Sequence, residues 1–313
     1  MIISKCPLRI SLAGGSTDLQ SFVDKNGRGS VINFSTNLYT YATLHDDKFG
    51  FSSEDKKFIV NYTKREECSE IDEIKNELVR ECFKYFSVSP NTSSLTSDVF
   101  SSGSGLASSS SYLISFLKAL ALKHSINFPA ETLCELALNI ERKFNPLTGF
   151  QDPYGCGISG LKRIDITSPN QVSIKALSNN IFKKIKMHIL HTGIRRQSTN
   201  ILKTLDISKA SKILPLVDEM EECINKECVT GFVSIIKRGW REKKKLSKEI
   251  ASNNKIKKMA NQLEHHPDVL AHRLCGAGNG GFFLIFSKKE NVNIDNKALK
   301  ITIDNTGPTA HLI

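Results

Sequence analysis

No stretch of this 313-residue chain approaches the roughly eighteen consecutive apolar residues that a membrane-spanning helix needs, so no membrane span is expected. The first residues, Met1 to Pro7, hold no basic segment followed by an apolar core. No signal peptide is therefore expected, and the chain is expected to stay in the cytoplasm. None of the eight cysteines (6, 68, 82, 134, 156, 223, 228 and 275) forms a Cys-x-x-Cys pair, which argues against zinc ribbons and redox motifs. Reduced, mostly buried thiols are expected instead. There is no internal repeat, and no linker long enough to cut the chain cleanly. Aromatic residues are not interleaved with the basic runs, as a nucleic-acid stacking platform would need.

What is present is an ordinary globular composition, 40% hydrophobic and 24% charged, which excludes disorder and a fibrous structure. Forty-three Lys and Arg against 32 Asp and Glu leave a net charge of +11. Such a balance favours anionic partners: nucleic acid, an acidic membrane or phosphorylated metabolites. The excess sits at Lys183, Lys184 and Lys186, at Lys243 to Lys245, and at Lys255, Lys257 and Lys258. These runs read as solvated faces of helices and strands.

Hydrophobic patterning mixes strands and helices without a steady βαβ period, which predicts α+β layers rather than a doubly wound sheet. Strands are expected at 2–5, 30–44 (one long strand or a hairpin), 95–100, 187–191, 282–286 and 299–303. Helices are expected at 74–86, at 112–122, after Pro129, and through most of 210–265, where Phe232, Ile235, Ile236, Gly239 and Trp240 share a face.

Three glycine-bearing loops stand out. The segment 101–111, Ser-Ser-Gly-Ser-Gly-Leu-Ala-Ser-Ser-Ser-Ser, lies between a strand and an apolar helix. Glycines there let backbone N–H groups converge, and a following helix adds free N–H groups and the positive end of its dipole, so an anion cradle is expected. No Gly-Lys-Ser/Thr ends it, so it is not a Walker A loop. Residues 276–281, Gly-Ala-Gly-Asn-Gly-Gly, match G-x-G-x-x-G but precede a strand, which is the wrong context for a dinucleotide fold. Such glycine density still requires a backbone to pass close to a ligand or a neighbouring strand. The third loop, 13–18, is Ala-Gly-Gly-Ser-Thr-Asp.

Taken in order, these loops resemble the motifs of the GHMP kinase superfamily (galacto-, homoserine, mevalonate and phosphomevalonate kinases). Within it the sequence is similar to the D-glycero-D-manno-heptose 7-phosphate kinases. The residues carrying that likeness are Pro7-Leu8-Arg9-Ile10-Ser11 with Gly14 to Asp18, Ile140-Glu141-Arg142, Gly149 to Tyr154, and His191-Thr192-Gly193-Ile194-Arg195-Arg196. The resemblance spans essentially the whole chain. It departs at Ser101, where the family has proline, and at Ala107, where it has glycine. Alanine is tolerable there only if φ stays negative or the methyl clears the phosphates.

The resemblance implies an N-terminal domain of ribosomal-protein-S5-like type over 1–165 and a ferredoxin-like α/β domain over 166–313. It implies ATP and Mg²⁺ as cofactors, with Gly103, Ser104, Gly105, Leu106, Ala107, Ser108 and Ser109 around the phosphates and Ser109 and Glu141 sharing the metal. Asp152 is implied as the catalytic carboxylate and Arg9 as its basic companion; Arg9 read alone would alternate outward on a strand. Thr17, Asp18, Thr192, Gly193, Arg196 and Gly278 are implied on the substrate side, with Arg195 or Arg196 as the cation for a sugar phosphate. The expected reaction phosphorylates the anomeric hydroxyl of the heptose 7-phosphate, toward GDP-heptose and a surface glycan. Another sugar-1-kinase, such as one for L-fucose, a non-catalytic kinase-derived sensor and a nucleic-acid-binding protein stay open. No nucleic acid or membrane partner is expected. For the 210–265 helices, a substrate lid, a homodimer face and plain core all remain open.

Overall fold

The architecture follows from one long strand. In the computed structural model, which describes residues 1–100, 103–167, 171–194, 201–292, 294 and 298–313, β2 (Arg28–His45) runs for 18 residues. It carries β1 (Ile2–Ala13) antiparallel along one edge and two strands in succession along the other. α1 (Gln20–Asn26) fills the β1–β2 connection. After a short α2 (Phe51–Glu54) come β3 (Phe58–Asn61), β4 (Arg65–Cys68), α3 (Glu77–Phe86) and β5 (Thr92–Ser97). α4 (Ser108–Lys123), α5 (Ala130–Phe144) and α6 (Gln151–Gly157) follow, then β6 (Leu161–Thr167) and β7 (Gln171–Ala176). The second half runs α7 (Ile181–Lys184), β8 (Lys186–His191), α8 (Pro215–Asn225), α9 (Val229–Lys245), α10 (Asn254–Glu264), β9 (Val269–Leu274), β10 (Phe282–Ser287), β11 (Leu299–Ile301) and β12 (Thr309–Leu312).

Two sheets result. The larger has the order β12-β1-β2-β5-β3-β4, with β6 on β2 and β7 on β6; the smaller is β11-β8-β10-β9. The larger sheet thus draws β12 from the second half of the chain. A single apolar cluster joins the sheets: Leu8, Ile10 and Phe34 meet Met187, Ile189, Leu284 and Phe286 through Leu216 and Phe232 of the helices between them.

Most expected elements are present, with shifted ends. The strand expected at 95–100 lies at Thr92–Ser97, and the one at 299–303 ends at Ile301, with Ile303 only bridging to Thr36. β12 was not expected; it is four residues long and exists because β1 offers it an edge, from Ile2 against Leu312 to Lys5 against Thr309. The helix expected at 112–122 starts at Ser108, and its first serines find partners, Ser108 in Ser104, Ser110 in Glu141 and Ser111 in the sheet beneath. Ser111 Oγ donates to the Cys6 carbonyl (3.0 Å) and shares a hydrogen bond with Thr40 Oγ1 (2.8 Å). All eight cysteines are free thiols, five of them buried.

Candidate active site

The register of β1 against β2 shifts between Pro7 and Arg9. Proline brings no N–H to the ladder, and an irregularity of this kind re-aims the side chains beside it. Arg9 uses the freedom: its backbone N–H donates to the Leu106 carbonyl (3.1 Å), tying β1 to the glycine–serine loop. Its side chain is 3% exposed, not solvent-facing as strand alternation alone would have it. Nη1 donates to the Gly105 carbonyl (3.0 Å), while Nε and Nη2 both donate to Asp152 Oδ1 (3.0 and 2.6 Å). Burial works against the guanidinium's charge, but the adjoining Asp152 carboxylate more than offsets it and holds the proton on.

Asp152 stands in the first turn of α6. That turn is organised by Asp18, whose carboxylate accepts from the N–H groups of Gln151 (3.1 Å) and Ser16 (3.1 Å). Asp18 is 1% exposed, and burial, with Asp152 nearby, pushes its carboxyl above the usual range. Glu141 reaches in from the end of α5 and is buried. Its Oε2 accepts from Ser110 Oγ (2.5 Å), and burial pushes its carboxyl up to about 7.

The loop between Gly103 and α4 holds its own shape. Ser104 Oγ accepts from the Leu106 N–H (3.2 Å) and shares a hydrogen bond with Ser108 Oγ (2.7 Å). Ala107 sits at φ 60°, ψ 41°, left-handed backbone immediately before the helix. The condition of negative φ is therefore not met, and the methyl is carried at a strained position. Behind this loop lies the second glycine segment. A side chain at Gly281 would run into the Ser104 and Gly103 carbonyls, and one at Gly278 (φ 102°) into the backbone of Ile250. The glycine density of 276–281 thus reflects two protein backbones passing close by.

These pieces enclose a cavity of about 260 Å³. Arg9, Asp18, Gly103, Ser104, Gly105, Ala107, Ser108, Ser109, Glu141 and Asp152 all line it, as the sequence led one to expect. Five expected residues do not. Leu106 is fully buried in the apolar core, so only its backbone serves the site. Thr17 is fully buried and its hydroxyl is used within the fold, donating to the carbonyls of Gly14 (2.8 Å) and Ser30 (2.7 Å). Thr192 Oγ1 likewise donates to the Gly281 carbonyl (2.9 Å), pinning the glycine segment from behind. Gly193 packs toward Lys255, and Gly278 against Ile250. Arg195, Arg196 and Ser101 lie outside the described residues.

The cavity also holds residues the sequence did not single out, among them Asn145, Thr148, Leu202, Leu205 and Lys243. Lys243 belongs to a run read as a solvated face, yet it is 5% exposed. The signal was there: 236, 240 and 243 follow a helical i, i+4, i+7 stripe, which puts a cation on the buried face of α9. Ser110 makes the short bond to Glu141, and the Ser109 hydroxyl also hydrogen-bonds that carboxylate. A second cleft of about 250 Å³ adjoins the first at Ser109 and is walled by Tyr62, Leu78, Leu95 and Tyr112.

The donor set fits a hard cation. Glu141 and the hydroxyls of Ser109 and Ser110 are oxygen ligands, and a buried carboxylate pushed up to about 7 would be relieved by a bound ion. No group of three or more His, Cys, Asp or Glu that could hold a metal occurs among the described residues, so phosphate oxygens and water would complete the shell.

Residues 75–160 match the model for the GHMP kinases N-terminal domain. The chain is 28% identical over 315 residues to a D-glycero-alpha-D-manno-heptose 7-phosphate kinase of Campylobacter jejuni, covering 93% of this chain and 91% of that protein. Its fold superposes on a D-glycero-D-manno-heptose 1-phosphate kinase from Bacteriodes thetaiotaomicron with a TM-score of 0.78 at 21% identity, over 100% and 99% of the two chains. It superposes on the Streptococcus pneumoniae phosphomevalonate kinase, solved with phosphomevalonate and AMPPNP, with a TM-score of 0.71 at 13% identity over 92% of each. Residues 75–160 thus carry a GHMP kinases N-terminal domain, the fold is shared from end to end with solved kinases, and the chain is an ATP-dependent phosphotransferase.

Proposed function

We propose that this kinase transfers the γ-phosphoryl group of ATP to the anomeric hydroxyl of D-glycero-D-manno-heptose 7-phosphate, giving the 1,7-bisphosphate. The observation carrying the reading is the Arg9–Asp152 pair, placed in one cavity between the glycine–serine loop and the 14–18 turn. A purine suits the aromatic and aliphatic walls of the adjoining cleft, at Tyr62, Leu95 and Tyr112. Its phosphates then reach the Gly103–Ser109 backbone and the N-terminus of α4. Mg²⁺, held by Glu141 with the Ser109 and Ser110 hydroxyls, neutralises charge on the phosphates when bound.

Of the two Asp152 oxygens Arg9 bonds Oδ1, and we assign Oδ2 to the acceptor's hydroxyl. The hydroxyl proton passes to that oxygen as the new O–P bond forms and the bond to the bridging oxygen breaks, releasing ADP. The Arg9 guanidinium, fixed on Gly105 and Asp152, orients the carboxylate and lies against developing negative charge. The similarity to the Campylobacter enzyme supports heptose 7-phosphate as the acceptor. We further propose a cytoplasmic enzyme feeding GDP-heptose synthesis.

The test is ATP turnover with Mg²⁺ against heptose 7-phosphate, sedoheptulose 7-phosphate, mannose 6-phosphate, L-fucose and galactose. Turnover confined to the heptose phosphate, falling by about 10³-fold or more in Asp152→Asn while nucleotide affinity persists, is the expected result. Turnover of L-fucose or galactose in preference would move the assignment to an unphosphorylated sugar.

A further inference from the structure

We propose that Cys223 and Cys228, at the turn between α8 and α9, form a reversible thiol–disulfide site that a peroxide oxidises and a dithiol restores. Four residues separate them, so they do not read as a Cys-x-x-Cys redox motif. The end of α8 brings them together. Glu227 takes left-handed backbone (φ 48°), and two hydrogen bonds close the helix end behind it. The Cys228 N–H donates to the Cys223 carbonyl (2.9 Å) and the Glu227 N–H to the Ile224 carbonyl (3.1 Å). This is the Schellman arrangement, which sets the third residue from the helix end against the second residue past its cap, often in an apolar contact. Here both positions are cysteine.

The side chains meet over Gly231. A Cβ placed there would lie 2.5 Å from Cys223 Sγ and 3.2 Å from Cys228 Sγ, so the missing side chain leaves room for both sulfurs. The Cys223 thiol also hydrogen-bonds the Cys228 sulfur. Because one helix end already holds the pair, closing the bond asks for side-chain rotation and not for movement of α8 or α9. Both residues are partly exposed, whereas Cys6, Cys82, Cys134, Cys156 and Cys275 are buried.

The two thiols differ in the way such chemistry requires. Cys228 immediately precedes α9, and the Thr230 hydroxyl, 3.6 Å from its sulfur, and the Gly231 N–H hold its thiol below the ordinary cysteine value. Burial, with Cys228 and Glu222 nearby, pushes the Cys223 thiol up. Cys228 is therefore the attacking sulfur and Cys223 the resolving one. The Cys228 thiolate attacks one peroxide oxygen, the O–O bond breaks, and the departing hydroxide takes a proton to become water. The Cys223 sulfur then attacks the resulting sulfenic acid. The S–S bond forms as the S–O bond breaks, and the Cys223 proton leaves with the hydroxyl as a second water. The sulfurs together lose two electrons and the peroxide gains them. A dithiol reverses the bond by exchange. With a resolving thiol in contact, the sulfenic acid is consumed before it can pass to the irreversible acids.

The experiment treats the folded, reduced chain with a small molar excess of hydrogen peroxide and follows free thiols and intact mass. The expected result is loss of two of the eight thiols and of the mass of two hydrogens, both restored by dithiothreitol. Trypsin cuts after Lys226, between the two cysteines, so the linked peptides separate only on reduction. In Cys223→Ser the reaction stops at a Cys228 sulfenic acid, which dimedone captures. In Cys228→Ser capture at Cys223 is slower by about tenfold or more. Circular dichroism checks the fold of both variants, and the wild-type measurements decide the question without them. A bond between any other pair, or oxidation of Cys228 to the sulfinic acid with no bond formed, overturns the proposal. So does a Cys223–Cys228 bond that forms as fast in the urea-unfolded chain, where no helix end holds the pair.

Discussion

Glu141 shows how one buried side chain couples the site to pH. Its carboxyl is pushed up to about 7 from an ordinary 4.5, chiefly by burial. Below about pH 4.5 it is neutral whether the chain is folded or not. As pH rises toward 7 the unfolded chain releases this proton readily and the fold does not, so stability is lost across that window, on the order of 3 kcal/mol in all. Without metal, Glu141→Gln is therefore expected to match wild type near pH 4 and to exceed it at pH 8, in denaturant titrations. With Mg²⁺ and a non-hydrolysable ATP analogue the order reverses, because only the carboxylate gains from the cation. Analogue affinity in wild type should accordingly weaken as pH falls through 7, by calorimetry, and stay flat in the glutamine variant.

At the scale of elements, the joint between the glycine–serine loop and α4 is where this sequence departs from its relatives' motif. Ala107 holds left-handed backbone that glycine adopts freely, at a cost of roughly 1–2 kcal/mol for a residue with a Cβ. Ala107→Gly should stabilise the folded chain by about 1 kcal/mol, read as a shifted denaturation midpoint with an unchanged slope. The value of the strained residue to the loop is positional: it turns the chain so that Ser108, Ser110 and Ser111 enter the helix with their hydroxyls already engaged. The Ser-rich composition thus supplies a set of internal hydrogen bonds.

On the scale of the whole molecule, the cavity is assembled from both halves: Arg9, Asp18 and Asp152 from the first, Leu202, Lys243, Gly276 and Ala277 from the second. The apolar cluster that joins the two sheets lies beneath it. A ligand filling the cavity should therefore stabilise the two halves together. Mg²⁺ with the ATP analogue at about a hundred times its Kd adds roughly 2.7 kcal/mol, which corresponds to a rise in Tm of about 5 °C for a chain of this size. Scanning calorimetry should show it as one transition moving intact. Two transitions, only one of which moves, would place the nucleotide on one half alone.

Local chemistry made much of this protein legible. The passage from the glycine–serine loop into an apolar helix depends on glycine and serine acting over a few residues, and the sequence by itself determined it, though not that the helix begins at Ser108. It also determined the core face of α9. What only the tertiary structure decided was which polar atoms remain available. Thr17 and Thr192 are absorbed into hydrogen bonds with the carbonyls of Ser30 and Gly281, and Ser110 takes a short bond to Glu141. Gly278 and Gly281 answer to Ile250 and Ser104 rather than to a ligand. β12 exists only because β1 has an edge to offer, and Lys243 is a cavity residue only because the stripe beneath it is buried. A residue's type sets what it can bond, whereas its remaining capacity depends on neighbours that lie well along the chain and are brought near only by folding.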